Sequence, residues 1–117
     1  MSGAISYHAG LAAEDQVAQL YEGSGREVCA RRWRGSAGEI DLIARDGAEI
    51  IFIEVKKSST HALAAEHLSG RQMARIYASA SEFLAGEPGG QLTECRFDVA
   101  LVNAAGQIEI LENAFAA

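Results

Sequence analysis

The chain has 117 residues, a length typical of one domain, and we expect residues 1–117 to fold as a single unit. Hydrophobic residues make up 49% of the sequence and charged residues 22%, which suits a soluble protein with a real core. The formal net charge of −6 argues against a simple nucleic-acid-binding protein, because such proteins are usually basic.

The predicted elements, in chain order, are a helix, three strands, a second helix and two further strands. The apolar periodicity and the glycine-containing turns predict these spans: a helix over 7–22, strands over 28–33, 38–44 and 49–56, a helix after 69, and strands over 94–102 and 107–112. This order, α-β-β-β-α-β-β, predicts an α/β fold with a mixed β-sheet flanked by helices.

The second helix has a clear start signal. Ser69 and Gln72 have the Ser-x-x-Gln spacing of a capping box, and the Gly-Glu-Pro-Gly-Gly segment at 86–90 ends the helix. Residues 58–70 before it are interpreted as a linker with room for one helical turn. The helix therefore follows the third strand closely and is expected to pack on the sheet.

Sequence features that would indicate export, a membrane or zinc are missing. The N-terminus has neither the basic segment nor the apolar stretch of a secretion signal, and no apolar run approaches the ~20 residues that span a bilayer. We therefore expect a cytoplasmic protein. Cys29 and Cys95 are far apart and are predicted to be buried, reduced thiols. His8, His61 and His67 lack the spacing of zinc ligands.

The charge is unevenly distributed along the chain. Residues 26–34 carry four Arg and one Glu and so a net charge of +3, which leaves −9 for the remainder. Residues 82–112 carry six acids and one Arg. A basic patch on an acidic protein is compatible with a polyanionic ligand, and it predicts modest, salt-sensitive affinity.

Four charged residues interrupt two strands that should otherwise be buried. Glu39 and Asp41 lie on the first of them, and Glu54 and Lys56 lie on the second. Burying a charge without a partner costs several kcal/mol, so these residues need a chemical explanation. Because side chains alternate along a strand, all four are predicted to lie on one face of the sheet.

The predicted hairpin register brings the acids together. If the Asp-Gly pair at 46–47 forms a two-residue turn, Glu39 faces Glu54 and Asp41 faces Phe52. Asp41 and Glu54 are then diagonal neighbours, roughly 7–8 Å apart or somewhat less. A bulge in either strand would change this arrangement and could also re-aim one of the carboxylates.

A divalent cation would resolve the repulsion between these acids. Mg²⁺ prefers oxygen ligands and binds through one or two carboxylates together with water and phosphate oxygens. Lys56 would add a positive charge that helps to orient water and to stabilise charge on phosphorus. The alternative is a solvated strand end at which Glu54 and Lys56 form a local ion pair, and four charges on one face favour the metal site over it.

This pattern resembles a known nuclease superfamily. An acid on one strand followed by Glu-x-Lys on the next is similar to the PD-(D/E)xK nucleases. More closely, "GEIDLIARDG" (38–47) with "IIFIEVK" (50–56) resembles the YraN-like bacterial proteins, which are predicted endonucleases related in fold to archaeal Holliday-junction resolvases. The segments at 10–18, 31–34 and 96–102 extend the resemblance over nearly the whole chain.

The resemblance implies roles for individual residues. It makes Asp41 and Glu54 the ligands of Mg²⁺ or Mn²⁺ and Lys56 the catalytic lysine. Glu14 matches an acid of the family's first helix that can reach the same site, although an ordinary solvated glutamate is an equal alternative. Glu39 matches as well and is interpreted as an outer-shell group or a further metal ligand.

Basic residues near these positions, together with one tryptophan, are candidates for contacts with nucleic acid. They are Arg31, Arg32, Trp33, Arg34, Lys57 and Arg71. The indole of Trp33 could stack on a base, or it could be half-buried among solvated arginines. Arg71 and Arg75, one helical turn apart, could line a DNA channel or pair with the excess of acids. Asp98 is interpreted as a structural partner of Arg96 or as a strand-end cap.

Together with these patterns, the resemblance implies a restriction-endonuclease-like domain that hydrolyses DNA phosphodiester bonds with Mg²⁺ or Mn²⁺. Branched or damaged DNA is included among the expected substrates. A homodimer is expected if both strands of a duplex or junction are cut, and no membrane association is expected. Two alternatives remain open: a catalytically weak or inactive nucleic-acid-binding module of the same fold, and an acidic interaction protein.

Overall fold

The computed structural model describes the backbone of residues 3–115 and the side chains of residues 12–115, so the side chain of His8 lies outside the described part. In chain order the elements are α1 (Gly3–Gly23), β1 (Glu27–Arg34), β2 (Glu39–Asp46), β3 (Glu49–Lys57), α2 (His61–Glu66), α3 (Gly70–Leu84), a 3₁₀ helix (Gly90–Leu92), β4 (Cys95–Val102) and β5 (Ile108–Leu111). Every predicted element is present, and α2 occupies the linker in which one helical turn was expected.

The five strands form one mixed sheet in the order β1-β2-β3-β4-β5. Neighbouring strands are antiparallel except for β3 and β4, which are parallel. Parallel neighbours need a long crossover connection, and the segment that contains α2 and α3 supplies it. The predicted fold class, a mixed α/β sheet flanked by helices, is confirmed.

Helices cover both faces of the sheet, which explains why β3 is apolar over most of its length. One buried cluster joins α1 to the sheet and contains Ala13, Val17, Ala18, Tyr21, Leu42, Ala44, Ile51, Ile53, Ala100 and Val102. The other joins α2 and α3 to the opposite face and contains Ile40, Ile43, Ile50, Phe52, Ala64, Ile76, Ala80, Leu84, Phe97, Val99, Leu101 and Phe115.

The start of α3 agrees with its predicted capping signal. Ser69 has an extended backbone conformation, and its hydroxyl accepts a hydrogen bond from the backbone N–H of Gln72 at 3.1 Å. Such a cap satisfies one of the free N–H groups of the first turn. The cap fixes where α3 begins, and so it fixes which side chains of the first turn point at the sheet.

The register of the β2–β3 hairpin differs from the predicted one by two residues. Asp46 pairs with Glu49, so the central residues of the turn are Gly47 and Ala48 rather than Asp46 and Gly47. Gly47 has a φ of +61° and occupies the first central position, where type II′ turns place glycine. Because the shift is by an even number, β2 and β3 keep their relative faces over the paired part from Leu42 to Asp46, and Asp41 moves from opposite Phe52 to the level of Glu54.

The alternation of side chains in β2 breaks at Asp41. Ile40 and Ile43 both lie in the cluster under α3, although regular alternation would place them on opposite faces. In the neighbouring strand β1, Arg32 has a left-handed backbone with a φ of +51° at the same level. The two irregularities lie side by side, and they leave Arg32 exposed while Trp33 packs against the core.

The predicted burial of both cysteines is wrong for Cys29. Cys29 is exposed in β1, where the pairing with β2 shifts between Val28 and Ala30, whereas Cys95 is half-buried. A bulge of this kind leaves one residue of an edge strand without a regular partner, and the strand can then turn that residue outward. Both cysteines are free thiols.

No helix in residues 3–115 combines the length and the apolar character that crossing a membrane requires.

Candidate active site

Glu54 is a carboxylate buried in the central strand of the sheet, with only 3% of the residue exposed. Its Oε1 accepts the backbone N–H of Asp41 at 3.3 Å, and its Oε2 accepts a hydrogen bond from Nε2 of Gln72 at 3.2 Å. The ammonium of Lys56 lies 3.9 Å from Oε2, at the outer limit of an ion pair. Glu54 is therefore held by neutral donors, and its cationic partner is distant.

Asp41 stands beside Glu54, where the regular pairing of β2 with β3 has ended. Its Oδ2 accepts the backbone N–H of Val55 at 2.8 Å, while its own N–H donates to Glu54. Each carboxylate thus accepts a hydrogen bond from a backbone N–H of the opposite strand, at a level where β2 and β3 no longer pair regularly. These two bonds hold the acids together against their mutual repulsion.

Both carboxyl groups are difficult to ionise in this environment. Burial, together with the Asp41 carboxylate, raises the pKa of Glu54 to about 8. Burial also raises the pKa of Asp41, although the N–H of Val55 and the charge of Lys56 act in the opposite direction. A cation between the two groups would supply the missing positive charge and favour their ionised forms.

Glu14 and Glu39 lie near this pair with different surroundings. Burial and the Asp41 carboxylate raise the pKa of Glu14 to about 6, so α1 brings a third acid within electrostatic reach of Asp41. The carboxylate of Glu39 is instead paired with Arg32 and Arg34, at 3.2 and 3.3 Å. The roles of Glu14 and Glu39 as metal ligands remain predictions.

The oxygen donors at the site fit a small hard cation. Within residues 12–115, no three His, Cys, Asp or Glu side chains converge as a metal-binding group. The donors that do meet are the carboxylates of Asp41 and Glu54, whose side chains interact directly. Mg²⁺ and Mn²⁺ commonly bind through two carboxylates and complete their coordination with water and substrate oxygens.

The arginine-rich end of β1 is mostly paired with acids. Arg31 is hydrogen-bonded to Asp15 of α1, and Arg32 and Arg34 share Glu39. Trp33 is half-buried, and its ring meets the ring of Phe83 edge-on with centroids 5.5 Å apart. The indole thus contributes to the core under α3, and its stacking on a nucleic-acid base remains a prediction.

Three further basic residues are exposed near the site and lack acidic partners within the described part of the chain. They are Lys57 at the end of β3 and Arg71 and Arg75 in α3. The hydrogen bond from Gln72 to Glu54 places the first turn of α3 beside the buried carboxylate. Arg71 and Arg75, four residues apart, are neighbours on the helix surface and border the same region.

Gln72 combines its predicted capping position with a contact to the candidate site. Its backbone N–H carries the cap of α3 and its side chain contacts Glu54. The capping signal indicated where α3 begins, but it could not show that the first turn of α3 packs against Glu54, because α2 separates α3 from the Glu-x-Lys strand.

Asp98 is a second buried carboxylate, and the interpretation of it as a structural partner of Arg96 is confirmed. It is fully buried, and Arg96 contacts both of its oxygens, at 3.0 and 3.2 Å. The hydroxyl of Tyr21 donates to it at 2.6 Å and the N–H of Asn113 at 2.9 Å. Asp98 joins β4 to α1 and to the C-terminal segment.

Comparison with known proteins gives the family of the chain. A family model described as "Uncharacterised protein family UPF0102" matches residues 13–102. A UPF0102 protein of Cereibacter sphaeroides (strain KD131) is 72% identical over 117 residues, which is the full length of both chains. One of Ruegeria pomeroyi is 58% identical over 97% of this chain and 92% of the relative, and one of Dinoroseobacter shibae is 45% identical over 89% and 78%. The chain therefore belongs to the UPF0102 family.

Proposed function

We propose that this protein is an endonuclease that hydrolyses phosphodiester bonds of DNA, including branched or damaged DNA, with Mg²⁺ or Mn²⁺ as cofactor. The observation that carries the proposal is the buried Glu54 beside the half-buried Asp41, with Lys56 next to them. Two neighbouring carboxylates with little access to solvent oppose folding unless a cation compensates them, and such pairs are typical of functional sites. The pattern that resembles the PD-(D/E)xK nucleases, an acid on one strand and Glu-x-Lys on the next, lies on the neighbouring strands β2 and β3.

The carboxylates of Asp41 and Glu54 would hold the metal ion. A divalent cation supplies Lewis-acid chemistry, which stabilises negative charge on phosphate oxygens and makes water more acidic. Glu54 must release any proton on its carboxylate before it can act as a ligand, because ligands bind in their deprotonated form. The raised pKa of Glu54 therefore makes metal binding pH-dependent and ties it to proton release.

Lys56 would serve as the positively charged hydrogen-bond donor of the reaction. Its side chain is only 15% exposed, so its charge acts with little screening by solvent. From this position the ammonium would orient the attacking water and donate hydrogen bonds to the phosphate as negative charge develops on it. Gln72 would act as a positioning residue, since its amide fixes one oxygen of Glu54.

The exposed basic residues would bind the nucleic-acid backbone beside this pair. Lys57, Arg71 and Arg75 are available for phosphate contacts because they have no acidic partners in the described part of the chain. The small number of such residues on an acidic protein suits modest affinity that falls with salt. Cutting both strands with one site per chain would require a homodimer, and the proposed location is the cytoplasm.

A cleavage assay tests the proposal. Labelled single-stranded, duplex, flap and four-way-junction DNA would be incubated with the protein in Mn²⁺ or in EDTA. We expect cleavage in Mn²⁺ only, and we expect Lys56→Ala and Glu54→Gln to lower the rate by at least about 100-fold. Glu94→Gln, which removes an exposed acid away from the site, is the matched control and should cut at the wild-type rate. Absence of cleavage on every substrate would contradict the proposal.

A nucleic-acid-binding module without catalysis is the second candidate, and the exposed Lys57, Arg71 and Arg75 favour it because they would act without a metal. Such a module would bind the same DNA substrates in EDTA, in a salt-dependent manner, and would not cut them in Mn²⁺. The acidic interaction protein, the third alternative, would neither bind nor cut DNA.

A further inference from the structure

Glu39 lies between two arginines at the exposed border of the site. Its Oε1 is 3.2 Å from Nε of Arg32, and its Oε2 is 3.3 Å from Nη2 of Arg34. The exposed fractions of the side chains are 28% for Glu39, 40% for Arg32 and 77% for Arg34. An anion from solution can therefore reach both guanidinium groups.

The backbone at Arg32 is unusual for a residue inside a strand. Its φ of +51° lies in the left-handed region, which is unfavourable for a residue that carries a Cβ atom. Such conformations persist where the surrounding structure enforces them, and they cluster at binding and catalytic sites. Here the conformation keeps Arg32 on the surface beside Glu39, while the next residue, Trp33, enters the core.

The arginine pair is adjacent to the carboxylate pair. The residues that flank Arg32 in β1 pair with the residues that flank Asp41 in β2, so Arg32 and Asp41 are at the same level of neighbouring strands. Neighbouring strands are about 4.8 Å apart. A phosphate held by Arg32 and Arg34 would therefore lie next to the phosphate that is cleaved at Asp41.

We infer that Arg32 and Arg34 form a binding site for a backbone phosphate, and that Glu39 occupies this site in the free protein. Guanidinium groups bind phosphate and carboxylate oxygens in the same way, through paired N–H···O hydrogen bonds. A phosphate next to the one that is cleaved would enter by displacing Glu39. Glu39 thus lowers the affinity for nucleic acid. This inference rests on the proposed function, and it assigns to Glu39 a task that needs no metal ion.

Binding measured without metal separates this role from catalysis. Fluorescence anisotropy of labelled four-way-junction and duplex DNA, in EDTA at low salt, would be compared for wild type, Glu39→Gln and Glu27→Gln. Glu27 is the matched control because it lies in the same strand, is exposed, and removes the same charge. We expect Glu39→Gln to lower Kd by roughly three- to tenfold, the range for breaking two exposed ion pairs, and Glu27→Gln to change it less than twofold.

A double-arginine background completes the test. In a protein that carries Arg32→Gln and Arg34→Gln, DNA binding should weaken, and adding Glu39→Gln should no longer improve it. Glu39→Ala serves as a second variant without the charge, and thermal melting shows that each variant is folded.

The outcomes distinguish this inference from the proposed function. If wild type binds DNA and Glu39→Gln binds no more tightly than Glu27→Gln, the inference is wrong and the proposed function stands. Wild-type affinity in the double-arginine protein would also overturn the inference alone. If none of the proteins binds any DNA at low salt in EDTA, the inference is overturned, and the cleavage assay in Mn²⁺ decides the proposed function separately.

Discussion

Two carboxylates of the sheet, those of Asp98 and Glu54, are both buried but differ in the partners that compensate their charge. Asp98 is fully buried and receives hydrogen bonds from the guanidinium of Arg96, a tyrosine hydroxyl and a backbone N–H. Glu54 is 3% exposed, has a lysine 3.9 Å away and lies beside a second acid, Asp41. Two residues with nearly the same burial therefore have very different electrostatic compensation.

This difference separates a structural acid from a functional one. A buried charge that is fully paired holds elements together, and removing either partner is costly. A buried acid that is poorly paired and has a raised pKa opposes folding in the absence of a ligand, so the site that contains it is the better candidate for chemistry. Burial alone does not distinguish the two kinds of residue, whereas the partners do.

The largest expected stability change is at the structural acid. Asp98→Ala leaves the half-buried Arg96 guanidinium and the Tyr21 hydroxyl without their common acceptor, so we expect a loss of about 3–5 kcal/mol in the free energy of unfolding. Urea denaturation measures this loss. Asp46→Ala, which breaks an exposed pair with Arg26, is the control and should cost at most about 1 kcal/mol. Equal losses in Asp98→Ala and Asp46→Ala would contradict the structural role of Asp98.

Glu54→Gln should act in the opposite direction, and the effect should depend on pH. Because the pKa of Glu54 is raised to about 8 in the folded protein, its contribution to stability is complete below the ordinary glutamate pKa of 4.5 and is lost as the pH rises through 8. In EDTA, wild type should therefore lose stability relative to Glu54→Gln between pH 5 and 8. The variant should be more stable at pH 8, by an amount on the order of a few kcal/mol. Urea denaturation at several pH values checks this, and parallel curves would contradict it.

A smaller effect is expected at the strained backbone of Arg32. Both Arg32→Gly and Arg32→Ala remove the ion pair with Glu39, but only glycine adopts a positive φ without a steric penalty. The glycine variant should therefore be more stable than the alanine variant by about 1 kcal/mol. Differential scanning calorimetry of the two variants makes the comparison, and an alanine variant of equal stability would show that the left-handed conformation carries no strain.

Periodicity and turn signals predicted most of the fold. The strands, the hairpin and the Ser69 cap follow from local sequence, since alternation, glycine turns and capping depend on neighbouring residues. The register of the β2–β3 hairpin was predicted wrongly because two turn types compete. Asp46-Gly47 suits a type I′ turn, whereas Gly47 at the first central position suits a type II′ turn, which is the one observed. The exposure of Cys29 was missed because a bulge in an edge strand depends on pairing with β2.

The sequence indicated which residues form the candidate site, but it did not indicate the hydrogen bonds and ion pairs that these residues make. The Glu-x-Lys strand identified Glu54 and Lys56 because charges are rare in a buried strand. The capture of the Val55 N–H by Asp41 could not be predicted, since it requires the ladder to end at that point. The pairing of Glu39 with Arg32 and Arg34 likewise depends on irregularities in two strands that the sequence does not show.

The most direct test of the central claim, that Asp41 and Glu54 bind a divalent cation, is thermal melting at pH 8 in Mn²⁺ and in EDTA. Binding to the folded state at a concentration of 100 Kd adds about 2.7 kcal/mol, so Mn²⁺ should raise the wild-type melting temperature by several degrees. Asp41→Asn should reduce this rise, and Asp15→Asn, which alters an exposed acid of α1, should preserve it. No rise in wild type, or a full rise in Asp41→Asn, would contradict the claim.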